Sequence, residues 1–282
     1  MIERYVRAES TEQLLELLER PGATILCGGT DLVVRMRKGL VDPPLLVDVS
    51  RLALLRGIRE EDGQIVLGAA ATEAELLRSD VVRKRLPLLA AVLEQLGSVQ
   101  IRSRGTLGGN LVNASPAADS AVPLLLYEAE MVLASREGYR RMPLEEFLVG
   151  PGKTQLRAGE FVQEIRIQPV DGEPIVRFHK IGRRRALTIA IASVGMLAGV
   201  EAGKVSWLRL AAGSVAPRVL RLRAVEQAVA GGAVDASLAA HAGELARAAV
   251  SPIDDVRGSA DYRRAVVGDL VSTFIADLGS RG

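Results

Sequence analysis

The stretch Gly105-Thr106-Leu107-Gly108-Gly109-Asn110-Leu111-Val112-Asn113-Ala114-Ser115-Pro116-Ala117-Ala118-Asp119 packs glycines, short polar side chains and a carboxylate into one turn-rich span. Gly105, Gly108 and Gly109 carry no Cβ, so backbone N–H groups there can approach an anion closely. Thr106, Asn110, Asn113 and Ser115 add side chains that bond phosphate or hydroxyl oxygens. Asp119, just past Pro116, can accept from a sugar or ribityl hydroxyl. Read alone, the same stretch serves equally well as a glycine-rich loop between two strands.

A second glycine pair changes the balance. Ala23-Thr24-Ile25-Leu26-Cys27 is a short apolar run that reads as a buried strand, and Gly28-Gly29 follows at once. Thr30 to Lys38 then reads as a helix, with Thr30 or Asp31 at its start and Gly39 at its end. Strand, glycine pair and helix N-terminus together make an anion site, because unpaired N–H groups and the positive dipole end face the turn. The Gly-Lys-Ser/Thr ending of a P-loop is missing, and so is the G-x-G-x-x-G spacing of a Rossmann turn.

Two such segments in one chain resemble the FAD-binding domain shared by vanillyl-alcohol oxidase relatives and the flavin subunits of molybdenum hydroxylases. Within that superfamily, "QIRSRGTLGGNLVNASPAADS" (Gln100 to Ser120) resembles the medium, FAD-binding subunit of the xanthine dehydrogenase and carbon monoxide dehydrogenase family. "FLVGPGKTQLRAGEFVQEIRI" (Phe147 to Ile167), "FHKIGRRRALTIAIASVGM" (Phe178 to Met196) and "SPIDDVRGSADYRRAV" (Ser251 to Val266) are similar to the same subunit, in the same order. The resemblance implies cofactor contacts at Ile25, Leu26, Cys27, Gly28, Gly29, Thr30, Asp31 and Leu32. It implies further contacts at Leu96, Thr106, Leu107, Gly108, Gly109, Asn110, Asp119 and Ile191. Xanthine dehydrogenases often carry an aromatic where Leu96 stands and a lysine where Ile191 stands, so the tuning of the flavin and its electron acceptor stay open.

Composition sets the remaining bounds. The 282 residues allow two ordinary domains. A net charge of +2, from 36 basic and 34 acidic residues, argues against nucleic acid as a partner. The single cysteine, Cys27, excludes a disulfide framework, a zinc site and an iron–sulfur cluster; it reads as a small buried hydrophobe. His179 and His241 are the only histidines, and no metal site is assigned. No apolar run reaches the ~20 residues of a membrane span, and a cytoplasmic location is expected. Aromatics make up 3% of the chain, so a flavin ring would rest mainly on aliphatic side chains or on a partner's surface.

Along the chain, Ser10-Thr11-Glu12-Gln13 matches a capping box ahead of Leu14, Leu15, Leu17 and Leu18. Thr24 to Cys27 and Leu45 to Asp48 read as strands of a small parallel sheet. Asp62-Gly63 reads as a type I′ turn between strands 58–61 and 64–67. Thr72-Glu73-Ala74-Glu75 is a second capping box, Leu86 to Leu96 a helix, and Met131 to Ala134 and Phe161 to Ile167 strands. Beyond a turn-rich boundary at Pro169 to Pro174, strands are expected at 176–180, 190–200 and 205–212. Helices are expected at 218–229, 237–250 and 261–278.

The expected architecture is thus α+β. It comprises an FAD-binding domain of the vanillyl-alcohol oxidase type at 1–170 (subdomains 1–56 and 57–170) and a C-terminal domain at 171–282 with a three-stranded antiparallel sheet and helices. The resemblance implies noncovalent FAD, an iron–sulfur subunit bearing [2Fe–2S], a molybdopterin-binding large subunit and electron transfer to NAD⁺ or a quinone. No general acid or base is needed for that role, so no catalytic residue is assigned. A self-contained flavin oxidase or reductase would need a larger cap domain and a positioned acid–base residue. A flavin-free assembly subunit would have no use for Gly108, Gly109 and Asp119. Lys180 and Arg184 fit the flavin edge or a solvated surface equally, and Arg183-Arg184-Arg185 suits a partner contact.

Overall fold

A computed structural model describes residues 4–184 and 188–279. The chain divides into two compact units. The first holds residues up to Arg85 together with Gly97–Ala114 and Ala129–Gln168; the second holds Leu86–Leu96, Ser115–Glu128 and everything from Pro169 on. Two short segments of the N-terminal half thus cluster with the C-terminal half. Their composition explains it: every residue of the helix Ala121–Leu126 is buried, and Pro87–Gln95 buries Leu88, Leu89, Ala90, Val92 and Leu93. Helices this apolar need cover on more than one side.

The first unit contains two sheets. Strands β1 (Arg4–Arg7), β2 (Ala23–Leu26) and β3 (Leu45–Asp48) form a parallel sheet in the order β1-β3-β2. The helix Thr11–Leu18 covers it with Leu14 and Leu17, and Ser10 caps that helix by accepting from the Gln13 amide at 3.1 Å. The Gln13 side chain returns to the Glu9 amide rather than to Ser10, so the expected box closes one residue early. The second sheet is antiparallel, in the order β4-β5-β10-β6-β7: β4 is Ile58–Glu61, β5 Gln64–Gly68, β6 Glu130–Ser135, β7 Gly138–Pro143 and β10 Phe161–Ile167. A small hairpin, β8 (Leu148–Gly150) and β9 (Lys153–Thr154), precedes β10. The β4–β5 turn has positive φ at both Asp62 (52°) and Gly63 (76°), as a type I′ turn requires. Leu45, Val47, Val49, Leu52 and Leu55 meet Ala70, Ala134 and Phe161 in one core, which joins the two sheets.

The second unit is built on a four-stranded antiparallel sheet, β11-β12-β13-β14. These strands are Ile175–Ile181, Ala192–Glu201, Lys204–Gly213 and Leu220–Arg221. The expectation of three strands and of a helix from 218 is corrected here. Leu220 and Arg221 pair with Ala212 and Ala211, and the helix begins only at Arg223. The Arg221 guanidinium grips Glu226 with contacts of 2.7 and 2.8 Å, which favours the extended segment over an extra helical turn. Alternation along β12 sends Val194 and Met196 into a core with the helices Arg223–Val229, Ala236–Ala249 and Ala260–Leu278. Gly195 faces the other way; a Cβ there would lie 2.7 Å from Val122, so its absence lets the helix Ala121–Leu126 reach the sheet. Among the described residues no helix is long and apolar enough to cross a membrane.

Candidate functional site

The first glycine segment sits at the carboxyl end of β2, inside the first unit. Gly29 has φ +74°, a backbone region open mainly to glycine, and turns the chain into the helix Leu32–Arg37. That helix has no side-chain cap from Asp31, and its start is correspondingly open. Among the described residues, the amides of Gly29, Thr30, Asp31 and Leu32 take no hydrogen bond within the chain. The other end is closed by Gly39 at φ +67°, with the Leu40 amide reaching the Arg35 carbonyl at 3.0 Å. Gly28 serves a different purpose. A Cβ there would stand 2.1 Å from the Arg104 carbonyl oxygen, so its absence lets the two glycine-rich segments touch.

The second segment is not the loop its glycines suggest. Leu107–Val112 is a helical turn and a half, and Thr106 caps it by accepting from the Gly109 amide at 3.3 Å. Its backbone donors are already engaged. Leu107 donates to the Ala71 carbonyl at 3.1 Å, Gly108 to Ala69 at 2.9 Å, and Asn110 to Thr106 at 2.9 Å. The expectation that the Gly108 and Gly109 amides wait for an anion is therefore corrected; the turn that follows β5 and the Thr106 cap take them. Gly108 has no Cβ because one would lie 2.7 Å from the Ala69 Cβ and carbonyl oxygen, and one on Gly105 would lie 2.9 Å from the Glu73 carboxylate. Gly109 is exposed, and a Cβ there would meet only the Thr106 hydroxyl, at 2.8 Å.

Together the two segments wall a cleft of about 320 Å³, at the small end of the range for ligand pockets. Ile25, Leu26, Cys27, Gly28, Gly29, Thr30, Asp31 and Leu32 line it from one side, and Thr106, Gly108, Gly109 and Asn110 from the other. Leu107 is fully buried beneath and does not reach the cleft. Leu55, Leu156, Phe161 and Val162 add apolar wall, Arg35 a positive side chain, and Glu73 a carboxylate that no sequence pattern had singled out. Cys27 is half-buried; burial pushes its thiol up, partly offset by the Thr106 hydroxyl, as suits a packing cysteine. Open helix-start amides beside an apolar wall fit a dinucleotide, with phosphates on the amides and ring surface on the aliphatic side chains.

Leu96, Asp119 and Ile191 belong to the second unit, where all three gather at the end of β11. Asp119 does not cap the helix Ala121–Leu126; its Oδ2 accepts from the Lys180 ammonium at 2.6 Å. Lys180 also donates to the Gln95 carbonyl at 3.2 Å, one residue before Leu96. The Ile191 amide donates to the Ile181 carbonyl at 2.7 Å, and its own carbonyl accepts from Arg263 at 2.8 Å. Lys180 is 6% exposed in its side chain, which removes the solvated reading. Arg263 is buried as well and also donates to the Ser214 carbonyl at 2.7 Å and to Asp255, so this arginine braces the fold. Arg183 donates to the Val256 carbonyl at the surface, and Arg185 lies outside the described residues.

Comparison with known proteins agrees with this geometry over the whole chain. Residues 1–169 match the family model "FAD binding domain in molybdopterin dehydrogenase", and residues 177–278 match "CO dehydrogenase flavoprotein C-terminal domain". The chain is 32% identical to the carbon monoxide dehydrogenase medium chain of Hydrogenophaga pseudoflava, across 95% of this chain and 93% of that one. It is 30% identical to the xanthine dehydrogenase FAD-binding subunit of Escherichia coli O157:H7, across 97% and 94%. Among solved structures, a chain of reconstituted CO dehydrogenase from Oligotropha carboxidovorans superposes with a TM-score of 0.94 at 28% identity, covering 100% of this chain and 99% of that chain. With FAD as its cofactor, the chain belongs to the FAD-binding medium subunits of the xanthine dehydrogenase and carbon monoxide dehydrogenase family of molybdenum hydroxylases.

Proposed function

We propose that this chain is the electron-transfer flavin subunit of a heteromeric molybdenum hydroxylase. It takes electrons from a [2Fe–2S] partner subunit, passes them to NAD⁺ or a quinone, and works beside a molybdopterin-binding large subunit in the cytoplasm. FAD, held noncovalently, supplies the conversion between one-electron and two-electron transfer. The chain's own residues bind and orient it. The amides of Gly29 to Leu32 and the Thr30 and Thr106 hydroxyls take the phosphates, while Ile25, Leu26 and Phe161 shelter apolar surface. The observation that carries the reading is this cleft, with its unspent amides, in a chain that matches flavin subunits from end to end.

The lone thiol makes a direct test. Cys27 lines the cleft, so FAD should shield it from a maleimide while leaving the melting curve cooperative. A modification rate unchanged by saturating FAD would place the cofactor elsewhere. The subunit role is tested by anaerobic mixing of the FAD-loaded chain with aldehydes, carbon monoxide, xanthine and related heterocycles. The flavin absorbance should stay unbleached until iron–sulfur and molybdenum subunits are added. Bleaching by the chain alone would make it a self-contained flavoenzyme.

A further inference from the structure

The charges that line the first unit's cleft run against the polyanion it is read to hold. Among the described residues that line it, Asp31 and Glu73 carry carboxylates and Arg35 is the one cation, so the formal side-chain charge of the wall is negative. Glu73 is 2% exposed, and a Cβ on Gly105 would stand 2.9 Å from its carboxylate, so it belongs to the inner wall. Asp31 and Arg35 are exposed and stand one helical turn apart. The amides of Gly29 to Leu32 offer hydrogen bonds but no net charge. A pyrophosphate entering here meets two carboxylates, and a single side chain attracts it.

That side chain is uncommitted. Among the described residues Arg35 enters no ion pair, although Asp31 precedes it by one turn of the same helix face. Other arginines close by in the fold are spent: Arg7 pairs with Asp48 at 3.1 Å, and Arg56 is held by Glu75 and by the Ser50 carbonyl. Arg37 shares the helix with Arg35 but does not line the cleft. Resting on the FAD-subunit reading above, we propose that Arg35 is a further binding residue of the cleft, whose guanidinium supplies the counter-charge that lets a negatively lined wall hold the FAD pyrophosphate. Arginine suits the task. Its charge persists at any working pH, and its planar fork matches two phosphate oxygens at once. Its long stem lets an exposed helix position serve the cleft wall while the head stays hydrated until ligand arrives.

The test compares charge removal on and off the cleft in the full chain, by calorimetric titration with FAD at two salt concentrations and by melting temperature without FAD. In about 0.01 M salt, where the Debye length is about 30 Å, Arg35→Gln should weaken FAD binding about five- to ten-fold. In about 1 M salt, where that length is about 3 Å, the loss should shrink to about two-fold. Arg37→Gln removes the same charge from the same helix and should cost about two-fold or less at either salt. Arg35→Lys keeps the charge and should recover most of the loss. The melting temperature of each variant without FAD should match the parent, because Arg35 and Arg37 are exposed and hold nothing in the fold. The proposal is overturned if Arg35→Gln binds FAD no worse than Arg37→Gln, if its loss is as large in high salt as in low, or if Arg35→Lys is as weak as Arg35→Gln. A fall of several degrees in the melting temperature of Arg35→Gln would make Arg35 a structural residue and overturn it as well. A parent chain that takes up no FAD would instead sink the subunit reading.

Discussion

The two glycine-rich segments look interchangeable in sequence, yet the fold uses them in opposite ways. One Gly-Gly pair shortly precedes a six-residue helix, Leu32–Arg37, and the other lies in the first turn of one, Leu107–Val112. At the first, the amides of Gly29 to Leu32 are unspent and no side chain caps the helix. At the second, Thr106 caps the helix, and Ala69 and Ala71 take the amides of Gly108 and Leu107. The first segment therefore has donors to give, and the second is the frame that holds it, through the contact of Gly28 with Arg104. A glycine can be required because a ligand must approach or because another backbone already has. Sequence alone does not separate the two.

Substitution separates them. Gly28→Ala should have the largest effect, since its methyl would stand 2.1 Å from a carbonyl oxygen that no side-chain rotation can move. We expect a loss of about 3 kcal/mol, at the upper end for overpacking, with FAD binding lost alongside. An apo chain that melts within a few degrees of the parent would break the interlock between the segments. Gly108→Ala should come next. Its methyl would press on Ala69 at 2.7 Å, and the gain in helix propensity offsets part of that strain, leaving a net cost of about 1–2 kcal/mol in urea unfolding. A neutral result would mean that the exit of β5 yields easily and that the frame is soft.

The platform under the first segment has its own lever. Asp48 ends β3 opposite Leu26 of β2. Burial alone would raise its carboxyl, but the Tyr5 hydroxyl, the Ser50 amide and Arg7 bring it down from 3.8 to about 2. Because the folded value lies below the unfolded one, this contribution is complete above about pH 4. It is lost as pH falls toward about 2. Asp48→Asn should therefore cost on the order of 1 kcal/mol at neutral pH, and the gap to the parent should close in acid. Parallel acid-unfolding curves for the two chains would show that the platform does not depend on this carboxylate.

Much of the frame could be read in advance because local chemistry and tertiary use agree. Asp62-Gly63 took the type I′ turn, Thr72 and Glu75 closed their capping box, and Phe161–Ile167 is a strand with the expected bounds. The departures lie where tertiary contacts override local preference. Arg4–Arg7 is too short and too charged to read as a strand, yet β3 pairs with all four residues. Leu107–Val112 contains two glycines that weaken a helix, and only Thr106 and the neighbouring backbone make it one. Leu220 and Arg221 extend a helical pattern in sequence but bond to β13. At the candidate site, glycine and threonine positions were legible because small residues are unusual in such density. The burial of Lys180 and Glu73 was not, since a charged side chain reads as solvent-facing until the fold supplies its surroundings.

Gly109→Ala should have the smallest effect on stability and is the sharpest test of the comparison. Both glycines of the second pair line the cleft, but only Gly109 is exposed, and its added methyl would meet nothing but the Thr106 hydroxyl, at 2.8 Å. Alanine favours the helix by up to about 1 kcal/mol, while crowding the Thr106 cap costs a similar amount, so the apo chain should keep its stability to within about 1 kcal/mol. The methyl would nevertheless be added at the wall of the cleft proposed to hold FAD. We expect FAD affinity to fall about ten-fold, equivalent to about 1.4 kcal/mol, in a calorimetric titration of a chain whose apo melting temperature is unchanged. If both quantities hold steady, the second segment has no face toward the cofactor and is frame throughout. If stability falls with affinity, the cap at Thr106 is the element that matters. Only the split result assigns Gly109 to the ligand and Gly108, one residue away, to the frame.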